Sequence, residues 1–150
     1  MAAALNSAMR AFTTPTLGVA LLAMACVSVA TAAPLWFTVM GDLAEPAADT
    51  VELNVGELSL RGEQKAMDLR VNLAAQRAMA SGEKYQSYVS LIEIDCLASA
   101  IVHVHQTRFE HAGWRGASTF QNFPEIRPMA FGGLLPNPKE TILRAACQIR

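Results

Sequence analysis

The sequence predicts an α+β fold: a small antiparallel β-sheet with one C-terminal helix stapled to it by a disulfide. Three observations predict it. Apolar and polar residues alternate over residues 66–73 and again from Tyr88 onward, which is typical of half-buried strands. A capped amphipathic segment, NPKETILRAACQI, closes the chain. Cys96 ends one predicted strand and Cys147 lies on the apolar face of the helix, so both side chains face one core.

The first 32 residues predict an export signal. Arg10 is the only charged residue before position 42, and the short apolar run LGVALLAMACVSVA follows it. The sequence ATA at residues 30–32 then has the small-x-small pattern of a signal-peptidase site. The run is shorter than the about 20 residues that span a bilayer. We therefore predict a signal peptide over residues 1–32, one domain over residues 33–150, and no transmembrane segment after cleavage.

Three shorter segments predict the first strands. PLWFTVM and TVELNV are extended, and Gly56 interrupts the second alternation, which indicates a turn or bulge. AMDLRVNL places Met67, Leu69, Val71 and Leu73 on one face. The small residues of AAQRAMASGEK then predict an exposed loop or a turn of helix.

The stretch LIEIDCLASAIVHVH predicts a β-hairpin. If its turn covers Leu97-Ala98-Ser99, the even-numbered residues of both arms share the core face. Glu93, Asp95, His103 and His105 then point outward together. Imidazole and carboxylate suit zinc, copper or nickel, so His103 and His105 are metal-ligand candidates. The alternative, which we favour, is a solvated polar face in which acids and histidines pair across strands.

Loss of Cys26 with the signal leaves Cys96 and Cys147. Two cysteines in an exported chain most simply form a disulfide, the alternative being two buried thiols. Asn137 is a candidate N-cap, with Pro138 at the first helical position and Glu140 three residues after the cap. A last strand is predicted around residues 117–120.

Aromatic residues are scattered through the irregular segment before that helix. Aromatic side chains in loops anchor protein partners, although they also cap the edge of small cores. Arginines are interleaved with them and can form a polar rim. The predicted interaction surface comprises Phe109, Trp114, Arg115, Phe120 and Phe123, with Arg108, Arg127 and Phe131 nearby.

Four features of the chain occur together. They are Trp36 soon after the predicted cleavage site, the stretch GEKYQSYVSLIEIDC ending at Cys96, a hydrophobic strand after it, and Cys147 near the C-terminus. With these features the chain resembles the surface-adhesin protein E family of small exported bacterial proteins. The resemblance implies a sheet with a disulfide-tied C-terminal helix. It also implies a role at the bacterial surface in binding host matrix or serum proteins.

Composition and motifs narrow the function. The net charge of −1 argues against nucleic acid or an anionic membrane as a main partner. The chain has no Gly-x-Ser-x-Gly turn, Gly-rich phosphate loop or His-Glu-x-x-His motif, so we expect no enzyme and no cofactor. We expect an exported binding protein, periplasmic, at the cell surface or secreted, with a homodimer possible through edge strands. The alternatives are a periplasmic accessory protein and a metal or small-ligand carrier using His103 and His105.

Overall fold

The computed structural model describes residues 33–45, 47–125, 128–129, 131 and 133–149. The predicted signal peptide, residues 1–32, lies outside this part of the chain, as does Arg127. Among the residues described, no helix is both long enough and apolar enough to cross a membrane.

Within these residues, seven antiparallel strands form one sheet and one α-helix follows it, which confirms the predicted fold class. The sheet order is β1-β2-β4-β5-β6-β7, and β3 pairs with β4 on the same side as β2. The elements are β1 (Trp36–Met40), β2 (Thr50–Asn54), β3 (Ser59–Arg61), β4 (Gln64–Ala78), β5 (Lys84–Asp95), β6 (Ala100–His111), β7 (Arg115–Asn122) and α1 (Lys139–Gln148).

The predicted interruption at Gly56 is a 3-10 turn that separates β2 from β3. Asn54 Oδ1 accepts hydrogen bonds from the N–H groups of Leu35, at 3.1 Å, and Gly56, at 3.3 Å. A Cβ on Gly56 would lie 3.0 Å from the Leu35 nitrogen, a tight contact that favours glycine because any side chain would have to push the neighbouring backbone by a few tenths of an ångström. The turn lets two short strands line one edge of the long strand β4.

The core lies between one face of the sheet and α1. The alternation predicted in β4 is confirmed, because Met67, Leu69, Val71 and Leu73 are all at most 1% exposed. Residues of β5, β6 and α1 pack against them, chiefly Ile92, Ile94, Ile101, Ile142, Leu143 and Ala146. We call this the helix-side face and the opposite one the outer face.

The helix is attached to the sheet at two points. The predicted disulfide is present, with Cys96 and Cys147 Cα atoms 5.8 Å apart and a sequence separation of 51. Lys65 Nζ donates to the carbonyls of Ala146 and Ile149 at the end of α1, where a cation also meets the negative end of the helix dipole. At the other end, Pro138 is the N-cap and Asn137 Oδ1 accepts from the Lys139 N–H at 2.9 Å, one residue from the predicted arrangement.

The predicted loop at residues 74–84 is partly wrong, since β4 continues to Ala78. The strand bulges between Asn72 and Arg77, opposite a single residue, Gln86. Gln86 Nε2 donates to the carbonyls of Leu73 at 3.2 Å and Ala74 at 3.4 Å. The side-chain amide of Gln86 thus takes the place of backbone hydrogen bonds that the bulge interrupts. The small residues of this segment gave no sign that the strand continues through such a bulge.

The predicted facing of the β5–β6 hairpin is also wrong. The turn has four residues, 96–99, so Ile94 pairs with Ile101 and Asp95 with Ala100. At the start of β6, the odd-numbered residues Ile101 and His103 therefore face the core. A bulge then leaves Val104 unpaired between the Leu91–His105 and Ile92–His103 pairs, and even residues face the core beyond it. Glu93, Asp95, His103 and His105 consequently do not share one face.

Replacing Ile142 with alanine should lower the free energy of unfolding by about 2–5 kcal/mol, because Ile142 is fully buried between α1 and the sheet. Arg144→Ala, on the exposed side of the same helix, should change it by about 0.5 kcal/mol or less. Denaturant unfolding of both variants measures this. Equal losses would show that α1 does not bury its apolar face as described.

Candidate protein-binding surface

A buried ion pair lies at the centre of the outer face. Arg70 of β4 donates from Nε to Glu52 Oε2 at 2.6 Å and from Nη2 to Glu52 Oε1 at 2.9 Å. The two residues are paired directly in the β2–β4 register, and the Glu52 side chain is only 2% exposed. This two-point contact fixes the orientation of the guanidinium plane.

Two tryptophans lie against that guanidinium. Arg70 Cζ is 4.0 Å from the ring centroid of Trp36 and 4.3 Å from that of Trp114, within the range of cation–π attraction. Trp36 comes from β1, next to β2, whereas Trp114 comes from the β6–β7 turn. We call these three residues the Arg70 stack.

The β6–β7 turn is held down over the outer face. The Trp114 N–H donates to Ser87 Oγ at 3.0 Å, and the Gly113 N–H donates to Asn72 Oδ1 at 2.7 Å. Trp114 has a φ of 58°, a left-handed conformation that a bulky residue keeps only when its surroundings fix it. Its indole Nε1 is buried and has no acceptor among the described residues.

The exposed edge of the surface is β7. This strand pairs on one side with β6, and all eight of its residues are exposed. Phe120 is 58% exposed, and its ring centroid lies 5.4 Å from that of His105. Arg115 is exposed at the start of β7, and its Nε donates to the Ala112 carbonyl at 3.2 Å. Phe109, opposite Ser118 in the register, is half-buried.

The structure divides the predicted interaction surface between the two faces. Phe109, Trp114 and Phe120 belong to the outer face, with Arg115 at its edge. Phe123 and Phe131 belong to the helix-side face, where Phe131 is part of the core and Phe123 stacks on His103 with centroids 5.2 Å apart.

The two predicted metal-ligand candidates are separated in the same way. His103 Nδ1 lies 2.5 Å from Oγ of the buried Ser90, on the helix-side face, whereas His105 is in the outer row with Leu91 and Asp68. Within the described part of the chain, no three His, Cys, Asp or Glu side chains come together as metal ligands.

Two side chains near these faces have shifted pKa values. Burial, and then the positive charge of Arg108, lowers the pKa of His103 to about 4, so its ring is neutral at pH 7. Burial, and then the negative charge of Glu57, raises the pKa of Asp68, while His105 acts in the opposite direction.

The sequence reading missed Glu52 and Arg70. Each lies at a polar position of an alternating strand, and this position is the only local sign in the sequence that the side chain faces away from the core. Their contact depends on the register between β2 and β4, which local patterns do not fix.

Glu52→Gln should lower the free energy of unfolding by about 3 kcal/mol, because it leaves Arg70 in a largely buried site without its counter-charge. A double-mutant cycle with Arg70→Met should give a coupling energy above about 1 kcal/mol. The control cycle uses Arg61 and Glu93, 3.1 Å apart with side chains 52% and 21% exposed, and should give about 1 kcal/mol or less. Equal couplings would contradict a central role for the Arg70 stack.

Stability should fall as the pH drops below about 6.5, because the unfolded state protonates His103 while the folded state resists protonation down to a pKa of about 4. His103 should lower the free energy of unfolding by about 1–2 kcal/mol between pH 7 and 4.5. This is less than the whole pKa difference would give, because the ring is partly exposed to solvent. His103→Asn should remove this part of the slope, whereas His111→Asn, at an exposed site, should not. Unfolding of the three proteins across this range measures it; identical slopes would refute the assignment.

Comparisons with known proteins bear on the family. A family model described as surface-adhesin protein E matches residues 36–148. No curated protein matches the chain significantly. A solved structure of Haemophilus influenzae protein E in crystal form II is similar at 9% identity with a TM-score of 0.45, covering 65% of this chain and 79% of that one. A second structure of Haemophilus influenzae protein E has 10% identity and a TM-score of 0.38, covering 64% and 78%.

The family assignment rests on the family model, which spans most of the chain and includes both cysteines of the disulfide and Trp36 of the Arg70 stack. The chain belongs to the surface-adhesin protein E family.

Proposed function

We propose that this protein is an exported bacterial surface adhesin that binds a host matrix or serum protein without catalysing a reaction. Family membership and the predicted signal peptide support export and adhesion. The observation that carries the proposal is the outer face, which presents both the Arg70 stack and an exposed aromatic residue, Phe120, on the edge strand β7.

The composition of this face matches that of protein-binding hot spots. Tryptophan, arginine and other aromatic residues are enriched at the centres of interfaces, where they bury large areas at low entropic cost. The Arg70 stack is already ordered by the Glu52 contact and the Trp114 turn, so a partner does not have to order it on binding. Phe120 supplies an apolar side chain that is exposed to water and that a partner can therefore bury.

The exposed β7 strand offers a second mode of contact. An edge strand can receive an extended segment of a partner by β-augmentation, with side chains such as Phe120 giving specificity. The same edge could pair with a second copy of this chain, so a homodimer stays part of the proposal.

The two alternative functions differ from this proposal in location and in chemistry. A periplasmic accessory protein would use the same face for a bacterial partner, and antibody labelling of intact cells separates the two locations. A carrier with one ion between His103 and His105 loses its geometric support, since the two rings lie on opposite faces.

Phe120→Ala should weaken binding to the recognised host protein at least about tenfold, because the exposed aromatic anchor on the edge strand is lost. The protein, exported from the full chain and purified, is tested against immobilised matrix and serum proteins. Since Phe120 is largely exposed, its replacement should change the free energy of unfolding by no more than about 0.5 kcal/mol.

The matched control is Leu60→Ala, which also removes an apolar side chain that is 70% exposed. Leu60 pairs with Lys65 and lies on the helix-side face, away from the proposed binding surface. It should leave binding unchanged. Equal weakening by both variants, or no binding by the unaltered protein to any host protein, would argue against adhesion through the outer face.

A further inference from the structure

A small cavity lies on the helix-side face, between the sheet and the segment that leads to α1. Its volume is about 200 Å³, several times the ~30 Å³ that one water occupies in the liquid. The polar side chains that line it are Arg77, Tyr85, Tyr88, His103, Gln106 and Arg108. It lies across the sheet from the Arg70 stack.

Arg108 is a buried cation that has no anionic partner within the described part of the chain. It is only 8% exposed, because the bulge at Val104 turns the even residues of β6 toward the core. Its Nη1 donates to Gln121 Oε1 at 2.8 Å, and its Cζ lies 5.7 Å from the Tyr85 ring centroid. None of the 13 Asp and Glu residues, all within the part of the chain described, forms an ion pair with it.

The neighbours of Arg108 do not neutralise it. Arg77 is also a cation, and Asp49, 3.3 Å away, pairs with it instead. His103 is neutral at pH 7, and burial raises the pKa of Tyr88, so neither provides a negative charge. A buried charge that lacks a counter-charge is costly, and an anion in the cavity would relieve that cost.

Further donors line the same cavity. The hydroxyls of Tyr85 and Tyr88 have no hydrogen-bond partner among the described residues, and Gln106 carries a side-chain amide. The guanidinium keeps N–H groups beyond the one used by Gln121, in the fork geometry that matches a carboxylate. The remaining wall is apolar and consists of Leu73, Phe123, Phe131 and Leu134.

From this arrangement we infer that the cavity binds a small free carboxylate with an apolar body, with Arg108 as the residue that pairs with its charge. The carboxylate meets the guanidinium and the tyrosine hydroxyls, and the apolar body packs on the leucine and phenylalanine wall. The volume, below the 300–1,000 Å³ of ordinary ligand pockets, is too small to enclose a whole nucleotide.

The test uses benzoate as the probe and benzamide as its uncharged counterpart of the same shape. Calorimetric titration at constant ionic strength should show saturable benzoate binding to the full exported protein, and at least about tenfold weaker binding of benzamide. No saturable benzoate binding up to about 10 mM, or equal binding of both probes, would overturn the inference.

Three variants locate the charge. Arg108→Met should weaken benzoate binding at least about tenfold, while Arg108→Lys, which keeps the charge and loses the fork, should bind with intermediate affinity. Arg144→Gln removes an exposed arginine from α1 and should bind like the unaltered protein. Unchanged binding by Arg108→Met would contradict the assignment.

A measurement on the unaltered protein does not depend on the folding of any variant. Benzoate should shift the methyl NMR signals of Leu73 and Leu134, which line the cavity, and leave those of the exposed Leu60 in place. Shifts confined to Leu60 or to other exposed methyl groups would place the probe elsewhere and refute the site.

Discussion

The structure depends on one constraint: in the part of the chain described, one short helix held by one disulfide has to cover one face of a seven-stranded sheet. The ten residues of α1 extend about 15 Å, whereas the fifteen residues of β4 extend about 50 Å. The chain before the helix therefore covers the rest, with the Met129 N–H bonded to the Ile101 carbonyl at 2.7 Å and Phe131 and Leu134 in the core. The Arg108 cavity lies between this segment and the sheet, with Phe123, Phe131 and Leu134 in its wall.

Among the described residues no helix lies over the outer face, which is organised differently. Glu52 and Arg70 satisfy each other across two strands, and the tryptophans of β1 and the β6–β7 turn shield them from water. Hydrogen bonds and ring contacts within the protein therefore already hold these large side chains in place. The two faces can thus serve separate purposes, a protein contact outside and a small anion beneath the cover.

The sequence predicted the parts of the fold that local periodicity controls, namely the alternating face of β4, the amphipathic helix and the two cysteines that meet across them. It failed at the hairpin because a turn one residue longer than assumed exchanges the faces of every later side chain. The bulge at Val104 reverses the alternation again, which separates His103 from His105 and buries Arg108. The contact of Glu52 with Arg70 depends on a register between distant strands, so no local pattern revealed it.

Amide hydrogen exchange of the oxidised and reduced protein tests most directly whether the Cys96–Cys147 bridge and α1 together hold the cover on the helix-side face. On reduction, the account predicts faster exchange in residues 139–148 and at Met129 and Leu134, while the paired centres of β4, β5 and β6 stay protected. Unchanged protection of α1 after reduction would contradict the account, as would simultaneous loss of protection across the whole sheet.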